Sequence, residues 1–217
     1  DRMKAAKASS TRLPEGHPFR SNPHLGDHEV SDAGFYDLLL HSQDRPFTIT
    51  ELDGTLRAAG LEMTGTPNGH FYDPASIVGD VAMDHLSPLE RMQLAEDLSG
   101  SIKLHVVYAA KAGEAEGRVA APGPQMVPHL RGVAPQALAQ AVAKSGRVPV
   151  TSALGRSHIS VPKGLAPVIA RVDGRSTLDE IAKAAGGDWF TFAPAWVKLS
   201  EALTAYGILT YSGLLRR

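Results

Sequence analysis

A helix that leads directly into a strand is predicted by the segment TITELDGTLRAAGLEMT, residues 48–64. Thr48 and Glu51 stand at the spacing of a capping box, in which the hydroxyl and the carboxylate accept hydrogen bonds from free amides at a helix start. Ile49, Leu52 and Leu56 then recur at helical spacing. Gly60 supplies the stop, and the four residues after it favour a strand.

The same pattern recurs further along the chain. Ser87-Pro88-Leu89-Glu90 predicts a second capped helix, which ends at Gly100. The run Lys103 to Ala110 is rich in strand-forming, mostly apolar residues and predicts a largely buried strand. Helix, strand, helix, strand is therefore the order expected from about residue 48 to residue 110.

Glycine and proline interrupt the pattern after residue 111, so residues 112–133 are expected to be a linker. A helix is predicted over 134–145, and residues 146–164 are expected to be irregular. Three short helices are then predicted at 165–172, from the capping box at Thr177, and at 194–206, followed by a strand at 208–211. We therefore expect an α+β chain: a mixed helix/strand domain (1–111), the linker, and a small, mainly helical, winged-helix-like domain (134–217).

Composition excludes several classes of protein. Hydrophobic residues make up 43% of the chain, enough for a buried core, and there is no cysteine for disulfides, thiolate nucleophiles or Cys-based zinc sites. The net charge of −1 argues against a nucleic-acid partner. No apolar run approaches the roughly 20 residues that cross a bilayer. We therefore expect no membrane partner, and we expect a cytoplasmic location. The polar N-terminus lacks the apolar core of a signal peptide. Because the chain begins at Asp1 rather than at Met, we expect a fragment of a longer protein.

The first half resembles a bacterial class I S-adenosylmethionine-dependent methyltransferase family, in the region C-terminal to the donor-binding core. The matching runs are Asn22-Pro23-His24-Leu25-Gly26-Asp27-His28, residues 32–41, residues 45–52, Ala58-Ala59-Gly60-Leu61, Tyr72-Asp73-Pro74 and residues 94–100. The segment 165–182 is similar to the helical domain that often ends such proteins, among them protein lysine methyltransferases.

The chain departs from that family in one respect. Class I methyltransferases bind their donor on a glycine-rich turn after the first strand. No such turn follows a strand here, and the nearest glycine cluster, residues 113–117, carries Glu114 and Glu116. We therefore expect no cofactor in this chain and no activity from it alone, with S-adenosylmethionine bound by a catalytic domain elsewhere in the complete enzyme.

The resemblance implies a regulatory and substrate-positioning role. The catalytic domain would be the partner, and the tail domain would recruit a protein substrate or mediate homodimerisation. A stand-alone winged-helix, protein-binding adaptor is the alternative. Family position and polar character predict substrate contacts at Asn22, His28, Asp32, Tyr36 and His41, and a loop after a strand adds His70 and Tyr72.

Each of these candidates also has a structural interpretation. For residues 22–41 the alternative is that the polar side chains cap helices and the apolar ones pack in the core. For His70 and Tyr72, a turn with a buried ring is a better explanation than a ligand cleft. His24 and His28 have the spacing of two metal ligands on a helix, but Pro23 and Gly26 oppose a helix there, so no metal is expected. Exposed aromatic anchors for a partner are predicted at the end of the chain, where core packing is an equal alternative: Trp189, Phe190 and Phe192.

Overall fold

The computed structural model describes residues 2–21, 26–79, 81–152 and 155–213, and it divides the chain into one unit over residues 1–47 and another over 48–217. Its strands form three separate two-stranded antiparallel sheets among many short helices, so the chain is α+β as expected. None of the helices within the described ranges has both the length and the apolar character needed to cross a membrane.

The first unit contains four helices: α1 (Arg2–Ser10), α2 (Pro18–Ser21), α3 (Asp27–Val30) and α4 (Asp32–Leu40). Ser31 caps α4 by accepting a hydrogen bond from the amide of Gly34. Gly34 also allows α3 and α4 to lie close together, because a Cβ there would be 2.2 Å from the carbonyl oxygen of Asp27. Lys7 forms an ion pair with Asp32 and ties α1 to the start of α4.

The second unit opens with the predicted alternation. Helix α5 (Ile49–Ala58) leads into β1 (Leu61–Gly65), a 3-10 helix (Gly69–Tyr72) and α6 (Ala75–Val78), then α7 (Pro88–Ser99) and β2 (Tyr108–Lys111). The capping boxes at α5 and α7 are both formed, which confirms the two helix starts. β1 and β2 pair antiparallel, with Leu61 opposite Lys111 and a bulge between Met63 and Gly65.

The prediction of a largely buried strand over residues 103–110 was wrong. Only residues 108–111 pair as a strand, and the apolar side chains on one side of the extended segment are exposed: Leu104 by 75%, Val106 by 47% and Tyr108 by 56%. With a single neighbouring strand in this sheet, only one side of the segment is covered. The composition of this segment showed that it is apolar, but it could not show that one of its sides is left exposed.

The rest of the second unit contains the main core. Its elements are β3 (Val127–Leu130), α8 (Pro135–Ser145), β4 (Arg147–Ser152), β5 (Gly155–Ser160), a 3-10 helix (Lys163–Leu165), α9 (Ala166–Ile169), α10 (Leu178–Ala184), α11 (Trp189–Ala205) and β6 (Leu209–Ser212). β3 pairs with β6 and β4 with β5. The capping box of α10 is formed, and Trp196, Leu199 and Leu203 of α11 lie fully in the core.

Three boundaries here differ from expectation. The expectation that residues 146–164 are irregular was wrong, because residues 147–152 and 155–160 form the paired strands β4 and β5, with Val148, Val150 and Ile159 in the core. Helix α11 begins at Trp189 rather than at residue 194, since Asp188 caps it by accepting from the amide of Thr191, and Pro194 lies inside the helix. Residues 127–130, in the expected linker, form a strand. The 111 and 134 domain boundaries and the winged-helix likeness stay predictions.

Candidate functional site

A chain of three polar side chains, one buried and two largely buried, lies on the inner side of the segment 103–108. The hydroxyl of Tyr72 is 2.8 Å from Nδ1 of His105, and Nε2 of His105 is 3.3 Å from a carboxylate oxygen of Glu96. With the ring proton on Nε2, the Tyr72 hydroxyl donates to Nδ1 of His105, and Nε2 faces the Glu96 carboxylate at ion-pair distance. The second oxygen of Glu96 accepts from the amide of Ile49 at 2.8 Å.

Three separate elements place these groups. Tyr72 ends the 3-10 helix after β1, Glu96 lies in the last turns of α7, and His105 belongs to the extended segment before β2. Ile49 is the first residue of α5, so Glu96 also satisfies a free amide at a helix N-terminus, where a carboxylate is favoured. The network therefore ties α5, α7 and the 103–108 segment together.

Burial decides what Tyr72 can do chemically. Its side chain is only 8% exposed, and burial, followed by the nearby charge of Glu96, raises the pKa of the Tyr72 hydroxyl. The phenol therefore stays protonated at neutral pH and acts as a hydrogen-bond donor, not as a nucleophile. The hydroxyl helps to position the segment through its hydrogen bond to His105.

The outer side of the same segment is apolar and exposed. His105 and Val107 point inward, whereas Leu104, Val106 and Tyr108 alternate with them and face out. Because side chains of an extended chain alternate between its two faces, the hydrogen bond of His105 with Tyr72 and its contact with Glu96 fix which side is presented. We call Leu104, Val106 and Tyr108 the outer row.

The other predicted contact residues of the second unit are not in a cleft. His70 is 7% exposed; its Nδ1 donates to the carbonyl of Ala205 at 2.9 Å, and its ring stacks on Tyr206. The structural interpretation of His70 and Tyr72 as buried rings is therefore the observed one. Burial lowers the pKa of His70.

The candidates of the first unit are spread along its helices. Asn22 and His24 lie outside the described residues. His28 is packed against Phe19, with ring centroids 4.8 Å apart, and its buried Nδ1 bonds to none of the described atoms. Asp32 is held by Lys7, whereas Tyr36 and His41 are exposed on and just after α4.

His28 faces a cavity of about 540 Å³ that also involves Lys7, Arg20, Phe19 and Glu29. Over the described ranges, no three histidine or carboxylate side chains are grouped to hold a metal ion.

The aromatic run at the start of α11 divides between core and surface. Trp189 and Phe192 are half-buried and meet edge to face at 5.2 Å, and Phe192 packs in the same way on Trp196. Phe190 points outward and is 87% exposed. Of the three predicted partner contacts, Phe190 is thus the one that lies freely at the surface.

Two members of the polar network, Glu96 and His105, were not among the residues singled out in the sequence. His105 is the one polar residue inside the apolar run 104–110, and this was the available signal. Its partners are distant in the chain and carry no fixed spacing. No protein-family model and no curated protein matches the chain.

Proposed function

We propose that this chain is the non-catalytic, regulatory and substrate-positioning part of an S-adenosylmethionine-dependent methyltransferase. It works with a catalytic domain outside these 217 residues, and a cytoplasmic location is part of the proposal. The observation that carries it is the outer row, three large apolar side chains exposed on a segment that is held from behind by the hydrogen bond of His105 with Tyr72 and its contact with Glu96. Contiguous exposed apolar groups of this kind mark a surface that another domain covers.

The strand arrangement supports a division of labour with another domain. All strand pairings in the described ranges are antiparallel, whereas a class I methyltransferase binds its donor at the carboxyl edge of a parallel sheet. The catalytic domain would therefore bring the donor site. In this proposal the outer row docks on that domain, and the exposed Tyr36 and His41 of the first unit contact the methyl acceptor.

Two measurements test the proposal. Titration calorimetry of the chain with S-adenosylmethionine should give no binding heat, and surface-immobilised chain should capture the class I catalytic domain encoded in the same reading frame or beside it. Micromolar donor binding by the chain alone would overturn the non-catalytic assignment. Failure of the chain to bind the catalytic domain, together with full activity of that domain alone, would overturn the positioning role.

A second candidate function rests on Phe190. An 87% exposed phenylalanine beside two half-buried aromatic rings is typical of an anchor for a protein partner, and it supports the alternative of a stand-alone winged-helix adaptor. The two functions separate experimentally. An adaptor should lose binding to its protein partner on Phe190→Ser and keep that binding on Val106→Glu. A positioning module should lose binding to its catalytic domain on Val106→Glu and keep that binding on Phe190→Ser.

A further inference from the structure

The hairpin β4–β5 has one buried and one exposed face. In its register Arg147 lies opposite Ser160, Pro149 opposite His158 and Thr151 opposite Arg156. Directly opposed residues of an antiparallel pair share a face, so these six side chains lie together. All six are exposed, while Val148, Val150 and Ile159 on the other face belong to the core.

The exposed face combines cations with hydroxyl groups. It presents the guanidinium groups of Arg147 and Arg156, the imidazole of His158 and the hydroxyls of Thr151 and Ser160, and no carboxylate. Neither arginine forms an ion pair or a side-chain hydrogen bond with any residue the structure describes. Both charges are therefore available to an external anion.

Two lysines extend this positive surface at the base of the hairpin. A Cβ at Gly146 would be 3.6 Å from Cγ of Lys163, so the Lys163 side chain runs beside the residue that precedes β4. Lys198 of α11 and Ser160 line one cavity of about 460 Å³. We call Arg147, Arg156, Lys163 and Lys198 the basic hairpin surface.

The sequence around the hairpin is strongly basic, although the net charge of the whole chain is close to zero. From residue 117 to residue 172 there is no aspartate or glutamate, although the chain as a whole holds 23. The same stretch contains seven cations: Arg118, Arg131, Lys144, Arg147, Arg156, Lys163 and Arg171. A net charge of −1 therefore comes from a basic middle segment set against acidic flanks, and net charge alone cannot exclude a polyanionic partner.

We propose that the basic hairpin surface binds double-stranded nucleic acid through its phosphate backbone. A two-stranded β-ribbon has the width to enter a major groove, and Arg, Lys, Ser and Thr are the usual donors to phosphate oxygens. Because contacts to phosphate oxygens carry no sequence information, this binding is independent of base sequence. The proposal does not depend on the methyltransferase assignment.

A nucleic-acid partner fits better than a lipid surface. Binding to a membrane surface usually inserts apolar side chains beside the cations. On the described part of the hairpin every large apolar side chain faces the core. Each arginine lies opposite a hydroxyl residue across the hairpin, and such paired donors suit a row of phosphates.

Fluorescence anisotropy of the intact chain with a labelled 24-base-pair duplex of mixed sequence tests the proposal. We expect a dissociation constant on the order of 10 μM near physiological salt, and a log–log salt slope of about −3.6 if four phosphates are neutralised. The double variant Arg147→Gln/Arg156→Gln should bind at least about tenfold more weakly at low salt and lower the slope by about two. The matched control Arg2→Gln/Arg12→Gln removes the same charge from exposed positions of the first unit and should bind like the parent chain.

The outcomes are distinguishable. Equal loss of binding in both double variants would mean that only overall charge matters and would overturn the assigned surface. Binding to phosphatidylserine vesicles or to poly-glutamate, with no binding to the duplex, would overturn the nucleic-acid assignment. Urea midpoints of both variants should match that of the parent, and if the hairpin variant is unstable, Arg147→Lys/Arg156→Lys should restore duplex binding with the same slope.

Discussion

The imidazole ring of His70 stacks on the phenol ring of Tyr206, with centroids 4.2 Å apart and 16° between the planes. Nδ1 of the same imidazole donates to the carbonyl of Ala205, 135 positions further along the chain. Beside this contact, Gly207 lies against the loop that precedes the 3-10 helix of His70. The end of α11 is thereby joined to the segment that also carries Tyr72, so this contact supports the polar network.

Gly207 should be the most sensitive glycine of this contact. Its φ is +66°, and a Cβ would lie 2.8 Å from both the carbonyl oxygen of Pro67 and Oδ1 of Asn68. We expect Gly207→Ala to lower the free energy of unfolding by more than about 2 kcal/mol, from backbone strain plus the close contact. Gly60→Ala, with φ +73° and open space around the Cβ, is the control and should cost about 1 kcal/mol. Equal losses in urea denaturation would contradict the close contact.

Stability should fall in mildly acidic solution because of His70. Burial lowers the pKa of the folded His70 below its unfolded value of about 6.5, so the unfolded chain binds more protons between the two values. The contribution of His70 is complete above about pH 6.5 and is lost as the pH falls from there through the folded pKa. Burial is the cause of this lowered pKa, and the hydrogen bond to Ala205 partly offsets it. The charged residues of the two packed helices do not contribute to the pKa of His70: Glu90, Arg91, Glu96 and Asp97 of α7, and Lys198 and Glu201 of α11.

Urea midpoints measured between pH 8 and pH 5 check this expectation. His70→Gln keeps a donor for the Ala205 carbonyl but cannot titrate, so the parent should lose more stability than the variant over that range. A parallel decline of both proteins would show that other groups cause the acid sensitivity.

Removal of the Tyr72 hydroxyl should weaken the polar network. Tyr72→Phe leaves Nδ1 of His105 without its partner in a largely buried site, and we expect a loss of about 1–2 kcal/mol in unfolding free energy. Tyr108→Phe makes the same chemical change on the outer row, where the ring is 56% exposed, and should change stability little. A neutral Tyr72→Phe would mean that the network does not stabilise the 103–108 segment.

A second buried network should respond in the same way. The Tyr211 hydroxyl accepts from Nε1 of Trp196 at 3.0 Å and donates to Oγ of Ser200 at 2.6 Å. Burial raises the pKa of Tyr211, so it remains protonated. Tyr211→Phe strands two buried polar groups and should cost about 1–3 kcal/mol. The doubly altered Tyr211→Phe/Ser200→Ala should be less destabilised than the sum of its parts, which thermal denaturation can measure.

The outer row should matter for binding and not for folding. Val106→Glu places a charge on a side chain that is 47% exposed, so the urea midpoint should stay within about 0.5 kcal/mol of the parent. Capture of the catalytic domain should fall at least about tenfold, because the charge would be buried in the docked state without a partner. Val119→Glu, at a position 62% exposed and outside the row, should bind normally.

The sequence alone determined where three helices begin. Thr48, Ser87 and Thr177 each stand three residues before a glutamate, and the structure forms all three capping boxes, because these hydrogen bonds join residues three apart and need no tertiary contact. The α+β class and the apolar stripe of α11 followed from equally local patterns. The function and the partner stay predictions, since they rest on resemblance.

Only the tertiary structure decided which side of residues 103–108 is covered and that the strands 147–152 and 155–160 pair. It also decided that His105, the polar residue inside the apolar run, meets Tyr72 and Glu96. Tyr72 and His105 are 33 positions apart, and His70 and Ala205 are 135 apart. Hydrogen bonds and burial at such separations depend on how elements pack, and no local spacing encodes them. The periodicity of apolar residues and the capping boxes therefore determine the secondary-structure elements. Tertiary packing determines which faces of those elements are buried and which remain exposed to partners.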